Sequence, residues 1–275
     1  MIELTDTHCH LYLSPFDTDR PTVLARAREA GVKRILLPGL DLATSQTAIQ
    51  LAEADPFLFA AVGFHPAELQ AFCERDFERL THLAEHPKVV AIGEIGLDYY
   101  WVKDPEQRAR QHEILRRHLD LAEHLGKPVV IHLRDEGDQP QGQALADLLA
   151  LLTDWHDHLL AAGHPLAGRP GVLHSFPGTA DLAQPFLARR FYIGIAGPVT
   201  YKNAEEKRHL ARHLPLTQLL LETDAPFLAP APYRGKRNEP VFVHKIADKI
   251  AEATSHSIEE VAAQTTQNAV RLFLW

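Results

Sequence analysis

Only two cysteines, Cys9 and Cys73, occur in 275 residues, too few for a framework of disulfides. No apolar run approaches the length of a membrane span. The opening Met1-Ile2-Glu3-Leu4-Thr5-Asp6 lacks a basic segment ahead of an apolar stretch, so no secretory signal is read there. Basic residues are also short, 28 Lys and Arg against 36 Asp and Glu. The resulting formal net charge of -8 excludes the broad basic face of a protein that coats nucleic acid. It leaves room for a local basic patch beside a metal site. These deficits together point to a reduced, cytoplasmic enzyme with no membrane partner.

The length is close to the roughly 250 residues of an eight-fold β/α barrel, and a 45% hydrophobic content is ample for its core. Eight apolar or β-branched runs stand out: Ile2–Asp6, Arg34–Pro38, Phe57–Gly63, Val89–Gly93, Pro128–His132, Gly171–His174, Phe191–Ile195 and Gln218–Glu222. Bounded by Gly and Pro and separated by helical patterns, they read as buried parallel strands. Helix punctuation lies between them. Asp104-Pro105-Glu106-Gln107 supplies an N-cap with proline at the first turn, and Gly126 ends that helix. Asn203-Ala204-Glu205-Glu206 and Ser257-Ile258-Glu259-Glu260 repeat the cap pattern, and Gly31 closes the first helix. Glu136–Gln143 and Gly163–Gly171 read as loops rather than linkers, so residues 1–275 are taken as one domain. Alternating strands and helices fit either a closed barrel or a doubly wound sheet. The lack of Gly-x-Gly-x-x-Gly or a P-loop weakens the nucleotide-binding alternative. The expectation is α/β, a single TIM-like (β/α)8 barrel.

Among 17 histidines, those on helices, including His82, His86, His112, His118, His124, His156, His158, His209 and His213, read as solvated side chains. The informative ones end strands. The strand ends read Asp6-Thr7-His8-Cys9-His10, Gly63-Phe64-His65-Pro66, Gly93-Glu94-Ile95-Gly96-Leu97-Asp98, Ile131-His132-Leu133-Arg134, Leu173-His174-Ser175 and Leu221-Glu222-Thr223-Asp224. Each has a bland reading, a lone histidine in a structural hydrogen bond or an aspartate capping a turn. Six strand ends needing that excuse at once is an improbable coincidence. Side chains alternate along a strand, so His8 and His10 share one face, as do Glu222 and Asp224, while Thr7, Cys9 and Thr223 point away. Cys9 is therefore read as a packing residue. Barrel sites sit at the carboxyl ends of strands, where these ligands would meet. Imidazole with carboxylate suits Zn²⁺, Mn²⁺ or related ions better than Ca²⁺.

These motifs, with Glu222-Thr223-Asp224-Ala225-Pro226 and Arg234-Gly235-Lys236-Arg237-Asn238-Glu239-Pro240, make the chain resemble, along its whole length, the TatD family of metal-dependent deoxyribonucleases in the amidohydrolase superfamily. The resemblance implies two divalent ions (Mg²⁺, Mn²⁺ or Zn²⁺). His8, His10, Glu94 and Asp224 would surround one. His132, His174 and the bridging Glu94 would hold the other. Strand five is followed by Leu133 and a polar loop, and strand six by Ser175-Phe176-Pro177, where the family usually has other residues. Both departures lie at the mouth.

The implied activity is phosphodiester hydrolysis as a DNase, 3'-5' exonuclease and/or endonuclease, on ends, single strands or damaged DNA, with a place in DNA repair. Catalytic roles fall to Asp224, as acceptor of the water proton, and Glu94. Glu222, one layer deeper, would orient a ligand histidine. Arg234, Lys236 and Arg237 would hold phosphate after strand eight, with His65 and Arg134 as further substrate contacts and Tyr201 a weaker one. A monomer is favoured. The alternative is a metal-dependent amidohydrolase or esterase of small substrates, which has no need of the basic loop. A protein that merely sequesters metal would not need Asp224.

Overall fold

β-Branched and apolar runs too short for helices leave pairing with a neighbour as the way to satisfy their backbone. In the computed structural model, which describes residues 2–275, all eight runs pair as parallel strands in sequential order. They are β1 (Leu4–Asp6), β2 (Val32–Pro38), β3 (Leu58–Val62), β4 (Val89–Asp98), β5 (Val129–Arg134), β6 (Gly171–Leu173), β7 (Tyr192–Ile195) and β8 (Leu219–Leu221). Helices alternate with them: α1 (Arg20–Glu29), α2 (Leu42–Ala54), α3 (Glu74–Ala84), α4 (Pro105–Leu125), α5 (Gln143–Ala161), α6 (Ala180–Ala188) and α7 (Glu205–His213). The chain ends with α8 (Val243–Thr254) and α9 (Ile258–Phe273). This is the expected (β/α)8 barrel, and the doubly wound alternative falls away.

The barrel closes beyond the ends of its first and last strands. Thr7 N donates to Leu221 O at 3.0 Å, Asp224 N to His8 O at 2.8 Å, and His10 N to Ala225 O at 2.7 Å. Cys9 and Ala225 form a parallel bridge. Below them the buried Asp6 carboxylate accepts from Thr223 N at 2.8 Å and from Thr223 Oγ1 at 2.6 Å. The seam therefore fixes the His-x-His segment against Asp224. At the other end of the barrel, α9 packs Ala269, Leu272 and Phe273 with the buried strand residues Leu36, Ala61, Val130, Val172 and Leu220. One end is stopped by apolar packing, and the polar end carries the site.

Local signals behave mostly as expected. The Asp104 side chain accepts from Gln107 N and Pro105 opens α4, while Gly126 ends it in the left-handed region at φ 62°. Ser257 and Glu260 form a reciprocal capping box on α9. Asn203 does not cap α7; Ala204 takes that position without a side-chain bond. Strand β4 runs five residues past its expected end at Gly93, and its register against β5 shifts between Ile92 and Ile95. Such an irregularity at a barrel rim re-aims side chains, and here it sits around Glu94. No helix of the described residues is long and apolar enough to cross a membrane.

Two helical histidines depart from the solvated reading: His118 and His156 are buried. His118 Nδ1 donates to Ile114 O at 2.8 Å, and its Nε2 accepts from Phe64 N at 3.2 Å, next to His65. Periodicity places His118 on the inner face of α4 with Ile114, Leu115 and Leu119. Burial drives its pKa down from 6.5 to about 4. Because the folded pKa lies below the unfolded one, the contribution of His118 to stability is complete above pH 6.5. It is lost as pH falls from 6.5 through about 4, a total of roughly 3 kcal/mol. Urea midpoints should fall across that window. The pH slope should be shallower in His118→Gln than in the wild type, and equal slopes would contradict the assignment.

Candidate metal centre

Everything at the polar end is arranged around Glu94, a buried carboxylate with imidazoles on every side. Its Oε2 lies 3.2 Å from His8 Nε2 and 3.8 Å from His10 Nε2. Its Oε1 lies 3.0 Å from His132 Nδ1, 3.3 Å from His174 Nε2 and 3.5 Å from His65 Nε2. Asp224 Oδ1 completes the first side, 3.4 Å from His10 Nε2 and 3.8 Å from His8 Nε2. Burial alone would raise the Glu94 pKa. The surrounding rings of His8, His174, His65 and His132 overcome that and hold the carboxyl well below its ordinary range. Asp224 is likewise held low against burial by the neighbouring rings of His10, His174 and His8.

The outer ring of contacts determines which nitrogen of each imidazole faces inward. Tyr12 Oη donates its one proton to Pro38 O at 2.6 Å, since a carbonyl can only accept. Burial pushes the Tyr12 phenol far above its usual range, so that proton stays. At 2.7 Å, His10 Nδ1 must therefore donate to Tyr12 Oη, which leaves the Nε2 lone pair facing Glu94 and Asp224. His132 turns Nε2 to Asp98 Oδ2 at 3.1 Å, leaving Nδ1 toward Glu94. His174 has Nδ1 3.4 Å from Glu222 Oε1, which also accepts from Ser175 N, and Nε2 inward. A Cβ on Gly194 would stand 2.5 Å from Glu222 Oε2, so only glycine leaves space for that carboxylate. His65 differs. Its Nδ1 accepts from Ala67 N at 3.2 Å, so the proton sits on Nε2 and faces inward. Burial keeps that ring neutral, with a pKa of about 3. His65 is thus built to donate to an oxygen.

The structure brings together His8, His10, Glu94, His132, His174 and Asp224, with Glu222 and His65 against them. Ligand atoms of His8, His174 and Asp224, of His8, His10 and Glu94, and of His65, Glu94 and His132 form sets lying within 4.8 Å of one another. The inward lone pair of His10 Nε2 and, 3.1 Å away, Nε2 of His8 lie against two carboxylates. A donor set of imidazole nitrogens and carboxylate oxygens fits a divalent cation. Sequence reading missed Asp98 and Tyr12 as partners of the ligand-type histidines. Asp98 stood in the strand-end motif, but its alignment with Glu94 depends on β4 continuing past Gly93. Tyr12 was not legible, because its partner Pro38 belongs to another strand.

The basic residues divide differently from expectation. The centre opens into a cavity of about 670 Å³ that Arg134 lines together with His65, Trp101 and Phe227. Arg234, Lys236 and Arg237 are not in its lining. Arg237 is committed elsewhere, bonded through both terminal nitrogens to Asp19 and to Glu239, which also pairs with Arg26. Buried Asn238 donates to Thr223 O at 2.7 Å and Phe227 O at 2.6 Å. The Arg-Asn-Glu stretch therefore clamps the loop after β8 onto the barrel. Arg234 and Lys236 are exposed and make no ion pair among the described residues, and the Arg234 guanidinium lies 4.6 Å from the ring centre of Tyr201.

The chain is similar to known proteins over nearly its full length. The model of the family described as "TatD related DNase" matches residues 5–274. The chain is 40% identical to the uncharacterized metal-dependent hydrolase YabD of Bacillus subtilis over 98% of both chains. It is 36% identical to the protein named 3'-5' ssDNA/RNA exonuclease TatD of Erwinia tasmaniensis, again over 98% of each. The crystal structure of YjjV, a TatD homologue from Escherichia coli, superposes with a TM-score of 0.86 at 32% identity, covering 99% of this chain and 98% of that one. The chain belongs to the TatD family of metal-dependent hydrolases.

Proposed function

We propose that residues 1–275 act as one phosphodiesterase barrel that hydrolyses DNA with two divalent ions, as a nuclease attacking ends or single strands. The observation that carries the two-ion reading is the division of Glu94. One of its oxygens faces His8 and His10, with Asp224 beyond, while the other faces His132 and His174. A single carboxylate offered to two separate nitrogen sets could serve an ion on each side. The nucleic-acid reading is supported by the name of the Erwinia relative, an ssDNA/RNA exonuclease, and by Arg234 and Lys236 after β8, which make no ion pair among the described residues.

On this reading His8, His10, Glu94 and Asp224 would hold one ion, and Glu94, His132 and His174 the other. Bound there, such ions would supply an acidified water and charge compensation for the phosphoryl oxygens. Asp224, its carboxyl kept ionised and at the cavity, accepts the proton of the attacking water. His65 donates from Nε2 to a non-bridging phosphate oxygen, and Arg134 supplies positive charge from the adjacent wall. Tyr12, Asp98 and Glu222 hold His10, His132 and His174 in the ring orientations that this requires. Arg234 and Lys236 meet phosphates further along the strand.

Four outcomes follow. Metal analysis of the purified chain at saturating Mn²⁺ or Zn²⁺ should give two ions, and Glu94→Gln should lose at least one while keeping the barrel's circular dichroism. A wild-type stoichiometry of one would remove the bridging role. Asp224→Asn, nearly isosteric, should lower kcat on an end-labelled oligonucleotide by on the order of 10²–10⁴. Metal content is to be read in parallel, and activity within a few-fold of wild type would move the proton acceptor elsewhere. Replacing both Arg234 and Lys236 by Ala should raise KM and flatten the salt dependence of DNA binding by roughly one unit of slope per cation. Arg237→Ala should instead lower the unfolding midpoint, because its guanidinium holds Asp19 and Glu239.

A further inference from the structure

Large apolar side chains are rarely left in water at the rim of a polar cavity, yet two stand there. Trp101 is 66% exposed and Phe227 51% exposed. Both line the cavity that contains Glu94. Trp101 follows β4 and Phe227 follows β8, and strands four apart in an eight-stranded barrel lie on opposite sides. The two aromatics therefore flank the metal centre across its mouth.

Neither is a loose loop tip. Trp101 N donates to Asp98 Oδ1 at 2.8 Å, while the other oxygen of the same buried carboxylate holds His132 at 3.1 Å. Asp98 is itself fixed by Gln111, whose amide oxygen accepts from Asp98 N at 3.0 Å. On the other side, Phe227 N donates to Asp224 O at 2.8 Å, its carbonyl accepts from Asn238, and its ring lies 6.0 Å from that of His10. Each aromatic is thus anchored through the backbone to a residue of the centre. A cation accompanies the first: the Arg134 guanidinium lies 3.6 Å from the ring centre of Tyr100, which meets Trp101 edge to face at 4.9 Å.

We infer that Trp101 and Phe227 are stacking platforms for the two nucleobases on either side of the scissile phosphate. This inference rests on the nuclease reading. The occupant is a single-stranded nucleic acid because two features must be met together. The centre between the platforms takes an anion, while each platform offers an apolar π-face. A single strand presents a phosphate flanked by unstacked bases, whereas a duplex hides its base faces inside the helix. Stacking on an aromatic ring tolerates any base, so the platforms select strandedness rather than sequence. A small neutral amide or ester would use neither. Because Asp98 holds both Trp101 and His132, a base on the first platform registers the phosphate against the second half of the centre.

The test uses the metal-loaded full chain with a fluorescein-labelled single-stranded oligonucleotide, comparing wild type with Trp101→Ala, Phe227→Ala and Trp101→Phe. Each alanine variant should raise KM by about tenfold, within the range that loss of one stacked base gives, with a much smaller change in kcat. Trp101→Phe should recover most of the loss. A second oligonucleotide, identical but with abasic residues flanking the cleaved bond, should bind wild type as weakly as the variants, with no further loss in Trp101→Ala. If the variants keep the wild-type KM on the intact strand, or lose equally on intact and abasic strands, the platforms are overturned while the nuclease reading stands. A wild-type enzyme that neither binds nor cleaves either oligonucleotide would instead overturn the nuclease reading.

Discussion

A carboxylate buried among imidazoles is the constraint on which the polar end of this barrel depends. Glu94 has almost no access to water, so its charge must be compensated by what surrounds it. His8 and His10 approach one oxygen, and His132, His174 and His65 approach the other. Each histidine comes from a different strand end except the His-x-His pair, so the compensation exists only when the barrel is closed. Folding and assembly of the centre are one event.

The seam between β8 and β1 makes that closure specific. Asp6 bonds to both the amide and hydroxyl of Thr223, and the backbone bonds from Asp224 to His8 and from His10 to Ala225 continue the seam upward. These contacts set the distance between the His8/His10 pair and Asp224 without using any side chain of the centre. The same economy appears outside the centre. Asp98 holds His132 with one oxygen and the start of the Trp101 loop with the other, while Asn238 ties the Phe227 loop to Thr223. Structural bonds at the rim thus determine what an incoming substrate meets.

Protonation of the ring nitrogens gives the histidines different chemistry although all five look alike in sequence. His10 is turned by Tyr12 so that a lone pair faces inward. His65 is turned by the Ala67 amide so that a proton does. The first arrangement suits a cation and the second an anionic oxygen, and the two occur within one cavity.

The eight strands, the helices between them and the inward parity of the ligand-type residues were legible because they are local. Burial on both faces makes each strand an apolar run, and alternation along a strand fixes which side chains share a face. The extension of β4 past Gly93 was hidden, since glycines and an acid interrupt the apolar pattern just where the strand meets the site. The burial of His118 could have been read from its spacing with Ile114 and Leu115, but histidine alone carries no sign of which side of a helix faces the core. Arg237 shows the opposite failure: a basic run near a site looks like an anion contact until Asp19, far away in sequence, takes its guanidinium. By itself, then, the sequence determined the barrel and the strand ends that meet in it, because both follow from backbone pairing and side-chain alternation. Only the tertiary structure decided which oxygen of Glu94 faces which imidazoles, which nitrogen of each ring is free, and which cations and aromatics reach the mouth. Those depend on contacts between distant segments that come together only when β8 meets β1.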